Sequence, residues 1–110
     1  MKLKTLINIY DELNARNFGG VLVRPVILGK RWRNALGQYV VSTNAPSRME
    51  FNPDGISGLS HARAVVYHEM VHQYVEEFLE NDDCSESHGL EFWKAYRRFA
   101  PLNTELGETL

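Results

Sequence analysis

The sequence predicts a small α+β domain, and three observations carry that prediction. Apolar residues recur at helical spacing near the N-terminus and in two stretches of the second half. Between them lie three short runs rich in β-branched and aromatic residues, and turn-forming residues separate all of these segments. At 110 residues the chain is long enough for one modest core and too short for two, so residues 1–110 are read as a single domain with a tail after residue 101.

In "LKTLINIYDELNARNFGG", Leu3, Leu6, Tyr10, Leu13 and Phe18 share a helical face, and Gly19 and Gly20 supply a left-handed stop. The spacing predicts a helix over 4–18. "VLVRPVILGK", "QYVVSTN" and "RMEFN" are expected to form three antiparallel strands, with Pro25 forcing the first to bulge or to lie at an edge. "NPDGISGLS" reads as a loop in which Ser57 or Ser60 caps a long helix over 60–80. After the polar break "NDDCSES", the segment "HGLEFWKAYRRFA" predicts a last helix ended by Pro101.

Composition narrows the class. Hydrophobic residues make up 44% and charged residues 24%, and no run of about 18 apolar residues suggests a membrane span. The short apolar stretch after Met1 runs directly into Asp11 and Glu12, which argues against a secretory leader and for a cytoplasmic protein. A single cysteine, Cys84, rules out an internal disulfide and a multi-cysteine zinc ribbon. With a net charge of −2, attraction to nucleic acid would have to come from a local patch.

The chemistry concentrates in "HEMVHQ". His68 and His72 stand four residues apart, so a helix projects both imidazoles from one face, about 6 Å apart along the axis. That spacing suits one Zn2+ ion, and Glu69, rotated by one position, is placed to act as general base on a metal-bound water. A catalytic zinc needs a third protein ligand. The chain returning through "NDDCSES" brings His88 to the start of the last helix, on the face it shares with Phe92, Ala95, Tyr96 and Phe99. His88 is therefore the expected third ligand, with Cys84, Asp82, Asp83, Glu86 and Glu91 as competitors. His61, about 10 Å from His68 along the helix, is too far to share the ion.

Taken in order, "IYDELNARNFGG", "RWRNALGQY", "HEMVHQ" and "HGLEFW" resemble the SprT-like family of zinc metalloproteases, which includes Spartan. The resemblance spans the chain to about residue 100 and implies a zincin-like fold in which His68, His72 and His88 bind Zn2+ and Glu69 is the catalytic acid/base. It also implies a cysteine-based zinc-binding subdomain or basic tail in many members, and this chain shows neither.

The resulting expectation is a minimal zinc-dependent endopeptidase whose protein or peptide substrate lies along a sheet edge as an added strand. The rival expectation is a zinc-stabilised binding module with Cys84 as a fourth ligand. Single-stranded DNA is a further candidate partner, through Arg24, Lys30, Arg31 and Arg33 around Trp32, although those residues read more readily as a hairpin with a solvated basic tip and a core tryptophan.

Overall fold

The computed structural model describes residues 1–32, 34–79 and 89–99. In chain order it contains α1 (Leu3–Asn17), β1 (Val26–Gly29), β2 (Gly37–Val40), β3 (Arg48–Phe51), a short 3-10 turn (Pro53–Gly55), α2 (Leu59–Phe78) and α3 (Leu90–Phe99). This is a small α+β fold with an N-terminal helix, a three-stranded sheet and two C-terminal helices. None of the described helices is long and apolar enough to cross a membrane.

The first helix closes where the glycines stand. Gly19 and Gly20 take φ values of 63° and 74°, which a side chain would oppose, and the Gly20 N–H reaches back to the Asn14 carbonyl at 2.7 Å. Leu6, Ile9, Tyr10 and Leu13 form its buried stripe. The second helix is buried on several sides, with Ala62, Val65, Val66, Tyr67, Met70, Val71 and Val75 in the core. Its N-cap is Gly58, without a side-chain cap; neither Ser57 nor Ser60 plays that part. Instead the Ser57 N–H donates to Nδ1 of His61 at 3.0 Å, which ties the preceding loop to the first turn.

The sheet differs from the expected antiparallel meander. Its order is β1-β3-β2, with β1 parallel to β3 and β2 antiparallel to it. The reason lies in Lys30, Trp32 and Leu36, which are held at the end of β3 rather than in a tight turn beside β1. The Lys30 N–H donates to the Phe51 carbonyl at 2.8 Å, Asn52 Nδ2 to the Trp32 carbonyl at 2.9 Å, and the Asn52 N–H to the Leu36 carbonyl at 2.9 Å. Asn52 thus guides the chain from one side of β3 to the other. β1 begins one residue after Pro25 and lies at an edge, where proline's missing donor costs the ladder nothing.

Met49 and Phe51 of β3 and Tyr39 of β2 point into the core beneath the sheet. On the opposite face, Glu50 is buried among Gln38, Arg48 and Lys30. Burial would raise the Glu50 carboxyl, but the Gln38 amide and the charges of Lys30 and Arg48 outweigh it and hold the carboxyl below its ordinary value.

The zincin-like description is also corrected. Among the described residues no group of three or more His, Cys, Asp and Glu side chains could hold a metal ion. The expected carrier of the third ligand, α3, is described only from Leu90, and His88 lies outside the described residues.

Candidate functional site

The long central helix places His68, Glu69 and His72 within a turn and a half of one another, below the β2 edge. His68 and His72 have ring centroids 5.1 Å apart at an interplanar angle of 66°. Phe92 of α3 packs on both, with centroids 5.1 Å from His68 and 4.5 Å from His72. The face of α3 expected to dock on the core does so, and Phe92 is fully buried against the two imidazoles. Glu69 belongs to a different direction. Its Cγ lies 3.3 Å from the position a Cβ on Gly37 would occupy.

This division explains the correction to the expected chemistry. Among the described residues the structure shows a two-imidazole pair resting on Phe92 and the Glu69 side chain beside Gly37 of β2, and no group of three or more His, Cys, Asp and Glu side chains there could hold a metal ion. The Zn2+ cofactor is therefore not supported. The readings built on it fall with it: the zinc-dependent endopeptidase, the zinc metallopeptidase of HExxH type, the zinc-stabilised binding module and the metal-binding and zincin descriptions. His88, Cys84, Asp82, Asp83 and Glu86 lie outside the described residues, while Glu91 is exposed in the first turn of α3.

Glu69 is only 6% exposed, and burial pushes its carboxyl up to about 8; the Tyr39 N–H offsets part of that rise. At neutral pH the group is mainly the neutral acid, which can both donate and accept a hydrogen bond.

A cleft of about 320 Å³ opens beside this carboxyl, lined by Asn34, Ala35, Leu36 and Gly37 on one side and Ala64, Val65, His68 and Glu69 on the other. The ladder register determines what β2 presents to it. The Asn52-to-Leu36 hydrogen bond and the pairings Gln38↔Glu50 and Val40↔Arg48 direct the backbone groups of Leu36, Gln38 and Val40 toward β3. Those of Gly37 and Tyr39 consequently point away from β3, along an edge that pairs with no other strand among the described residues. Sequence reasoning missed this wall. Gly37 was a visible signal, but it reads as a separator between strands until Phe51 and Glu69 are seen closing on it.

That crowding gives a direct test. A Cβ at Gly37 would meet two Phe51 ring atoms at 2.9 and 3.1 Å as well as Glu69 Cγ at 3.3 Å. Gly37→Ala is expected to destabilise the protein by about 1–3 kcal/mol through overpacking. Urea denaturation checks this, and a change below about 0.5 kcal/mol would mean that the strand shifts freely.

The basic segment is dispersed among acidic partners. Arg24 pairs with Asp11 of α1 at 2.6 Å, Arg31 with Asp54 at 3.3 Å, and Lys30 with Glu50 at 3.9 Å. Lys30 Nζ also lies 5.1 Å from the Trp32 ring centroid. Arg33 lies outside the described residues. A second cleft of about 540 Å³, lined in part by Arg31, Trp32, Asn52 and Asp54, shares Asn34, Ala35 and Leu36 with the first.

No protein-family model and no curated protein matches this chain. The SprT-like, Spartan-related assignment thus finds no support in either comparison, nor in a metal-holding group among the described residues.

Proposed function

We propose that this protein binds an extended polypeptide segment in the cleft between residues 34–37 and α2, with the segment laid against β2 as an added strand. The observation that carries this reading is the edge position of β2 among the described residues, with an outward-directed backbone along a cleft that has both apolar walls and polar side chains. Main-chain hydrogen bonds would supply sequence-tolerant affinity, and the pocket beside Ala35, Leu36 and Val65 would accept alternate side chains. Asn34, His68 and Glu69 are the polar side chains that line the cleft. His72, 5% exposed behind Phe92, supports His68 rather than reaching into the cleft.

Amide spectra of the 15N-labelled protein, recorded with a panel of unstructured peptides of about eight residues, test the proposal. Shifts concentrated at Gly37, Tyr39 and His68 are the expected result. Shifts elsewhere, or none with any peptide, would overturn it. Single-stranded DNA at Arg24, Lys30, Arg31, Trp32 and Arg33 is the lesser proposal, because three of the four cations already face carboxylates. Oligothymidylate should then shift the Lys30 to Trp32 amides at low salt, with the effect lost as salt rises.

A further inference from the structure

A third cleft, of about 290 Å³, lies between the end of α2 and one flank of α3, and it shares no residue with the other two. Tyr74 and Leu79 line it from the α2 side, Glu91, Lys94, Ala95 and Arg98 from α3. Its surface is almost wholly apolar although three of these six residues are charged. The aliphatic stems of Glu91, Lys94 and Arg98 therefore form walls, and their charged ends stand at the mouth. Phe78, 48% exposed, stacks on Tyr74 with ring centroids 5.0 Å apart and continues the apolar surface beyond the cleft. An exposed apolar patch rimmed by charge marks a surface that receives another molecule.

The charges at the mouth indicate which molecule. Among the described residues neither Lys94 nor Arg98 has a carboxylate partner, whereas Arg24, Lys30 and Arg31 each have one. Lys94 and Arg98 stand four residues apart on α3, a spacing at which like charges repel. Arg98 lies in the last turn, where the helix dipole favours a cation, but Lys94 lies a turn earlier and gains less from it. Arg98 is also held in place: Nη1 donates to the Tyr74 hydroxyl at 3.3 Å, and the guanidinium lies 5.0 Å from the Phe99 ring centroid. We propose that this groove docks an acidic peptide segment of a partner protein. One large apolar side chain fills the cavity against Tyr74, Leu79 and Ala95, and carboxylates flanking it pair with Lys94 and Arg98. Such a pairing relieves the repulsion between the two cations, and the fixed Arg98 lowers the ordering cost of binding. Glu91 at the same mouth disfavours an extended polyanion, and the apolar cavity offers a phosphate nothing.

The experiment uses fluorescein-labelled peptides of about eight residues with a central Leu, Ile, Phe or Trp between runs of Glu and Asp. In one control peptide Lys replaces every acidic residue, and in another Ser replaces the central one. Fluorescence anisotropy at low salt compares the parent with Lys94→Glu and Leu79→Gln, both changes at exposed side chains, with circular dichroism verifying the fold. At least one acidic peptide should bind the parent, about three- to tenfold more weakly to either variant, and more weakly as salt rises. Both control peptides should bind at least about tenfold more weakly than the acidic one. Amide shifts in the 15N-labelled protein should fall at Tyr74, Leu79 and Lys94 while Gly37 and His68 stay in place, which separates this groove from the β2 cleft. No binding by any acidic peptide up to about 1 mM, or equal binding by parent and Lys94→Glu, would overturn the proposal. Oligothymidylate shifting Leu79 and Lys94 where the acidic peptides do not would overturn it in favour of a nucleic-acid contact.

Discussion

Gln73→Leu is expected to remove about 3–5 kcal/mol of stability, a large share of the roughly 5–15 kcal/mol that holds a domain of this kind together. Gln73 is fully buried in the second helix. Its Oε1 accepts the Tyr10 hydroxyl at 2.7 Å, while Nε2 donates to the Val23 carbonyl at 2.8 Å and to Glu77 Oε1 at 3.2 Å. Glu77 in turn accepts the Tyr39 hydroxyl at 3.2 Å. One amide thereby links α1, the segment before β1 and α2, and through Glu77 it reaches β2. Leucine would leave little void, so the loss comes from stranding the partners. Tyr10 is fully buried, and burial holds its hydroxyl firmly in the protonated, donating form, so the stranded O–H would keep its full need for an acceptor. Adding Tyr10→Phe to Gln73→Leu should restore part of the loss, because removing both partners costs less than orphaning one. Urea denaturation of the parent, both single variants and the double variant measures this. A loss below about 1 kcal/mol in Gln73→Leu, or no coupling with Tyr10→Phe, would show that the network is not holding these elements.

The helices were legible in the sequence because their signals are local. Leu6, Tyr10 and Leu13 mark the buried face of α1, Gly19 and Gly20 mark its end, and the dense apolar pattern around Val65 to Val75 marks a helix buried on several sides. The strands were legible as segments but not as a sheet. Parallel pairing of β1 with β3 depends on Asn52 holding Trp32 and Leu36 at the strand end, contacts across 20 and 16 residues in sequence for which a short polar side chain gives no advance signal. The site divided in the same way. Helical geometry brought the His68 and His72 imidazoles together as spacing alone requires, whereas the seat of Glu69 depends on a gap at Gly37 on another element. Gln73 went unnoticed for a related reason: a polar letter beside a histidine looks like solvent-facing surface until its three partners are in place.

The second large effect is a gain. Glu69→Gln is expected to stabilise the protein at pH 7 by about 2–3 kcal/mol and to do nearly nothing at pH 4. The Glu69 carboxyl rises from 4.5 to about 8 in the folded protein, chiefly because burial penalises its charged form, with the Tyr39 N–H offsetting part of the rise. Below the unfolded value both states hold the proton, and the native burial carries no ionisation penalty. Between 4.5 and about 8 the unfolded chain releases the proton while the folded chain keeps it, so stability falls as pH rises. Above the folded value both states are ionised, and the loss reaches a plateau. Glutamine keeps the shape but cannot ionise, so its unfolding free energy should escape this decline. His68, His72 and every other titrating group are common to both proteins and largely cancel in the difference. Denaturation curves at pH 4, 6, 7 and 8.5 should therefore diverge steadily toward alkaline pH. Parallel curves would mean that Glu69 is already ionised at neutral pH in the folded state, and that its carboxyl sits in a far more polar surrounding than the wall of Gly37, Val65 and Tyr39 provides.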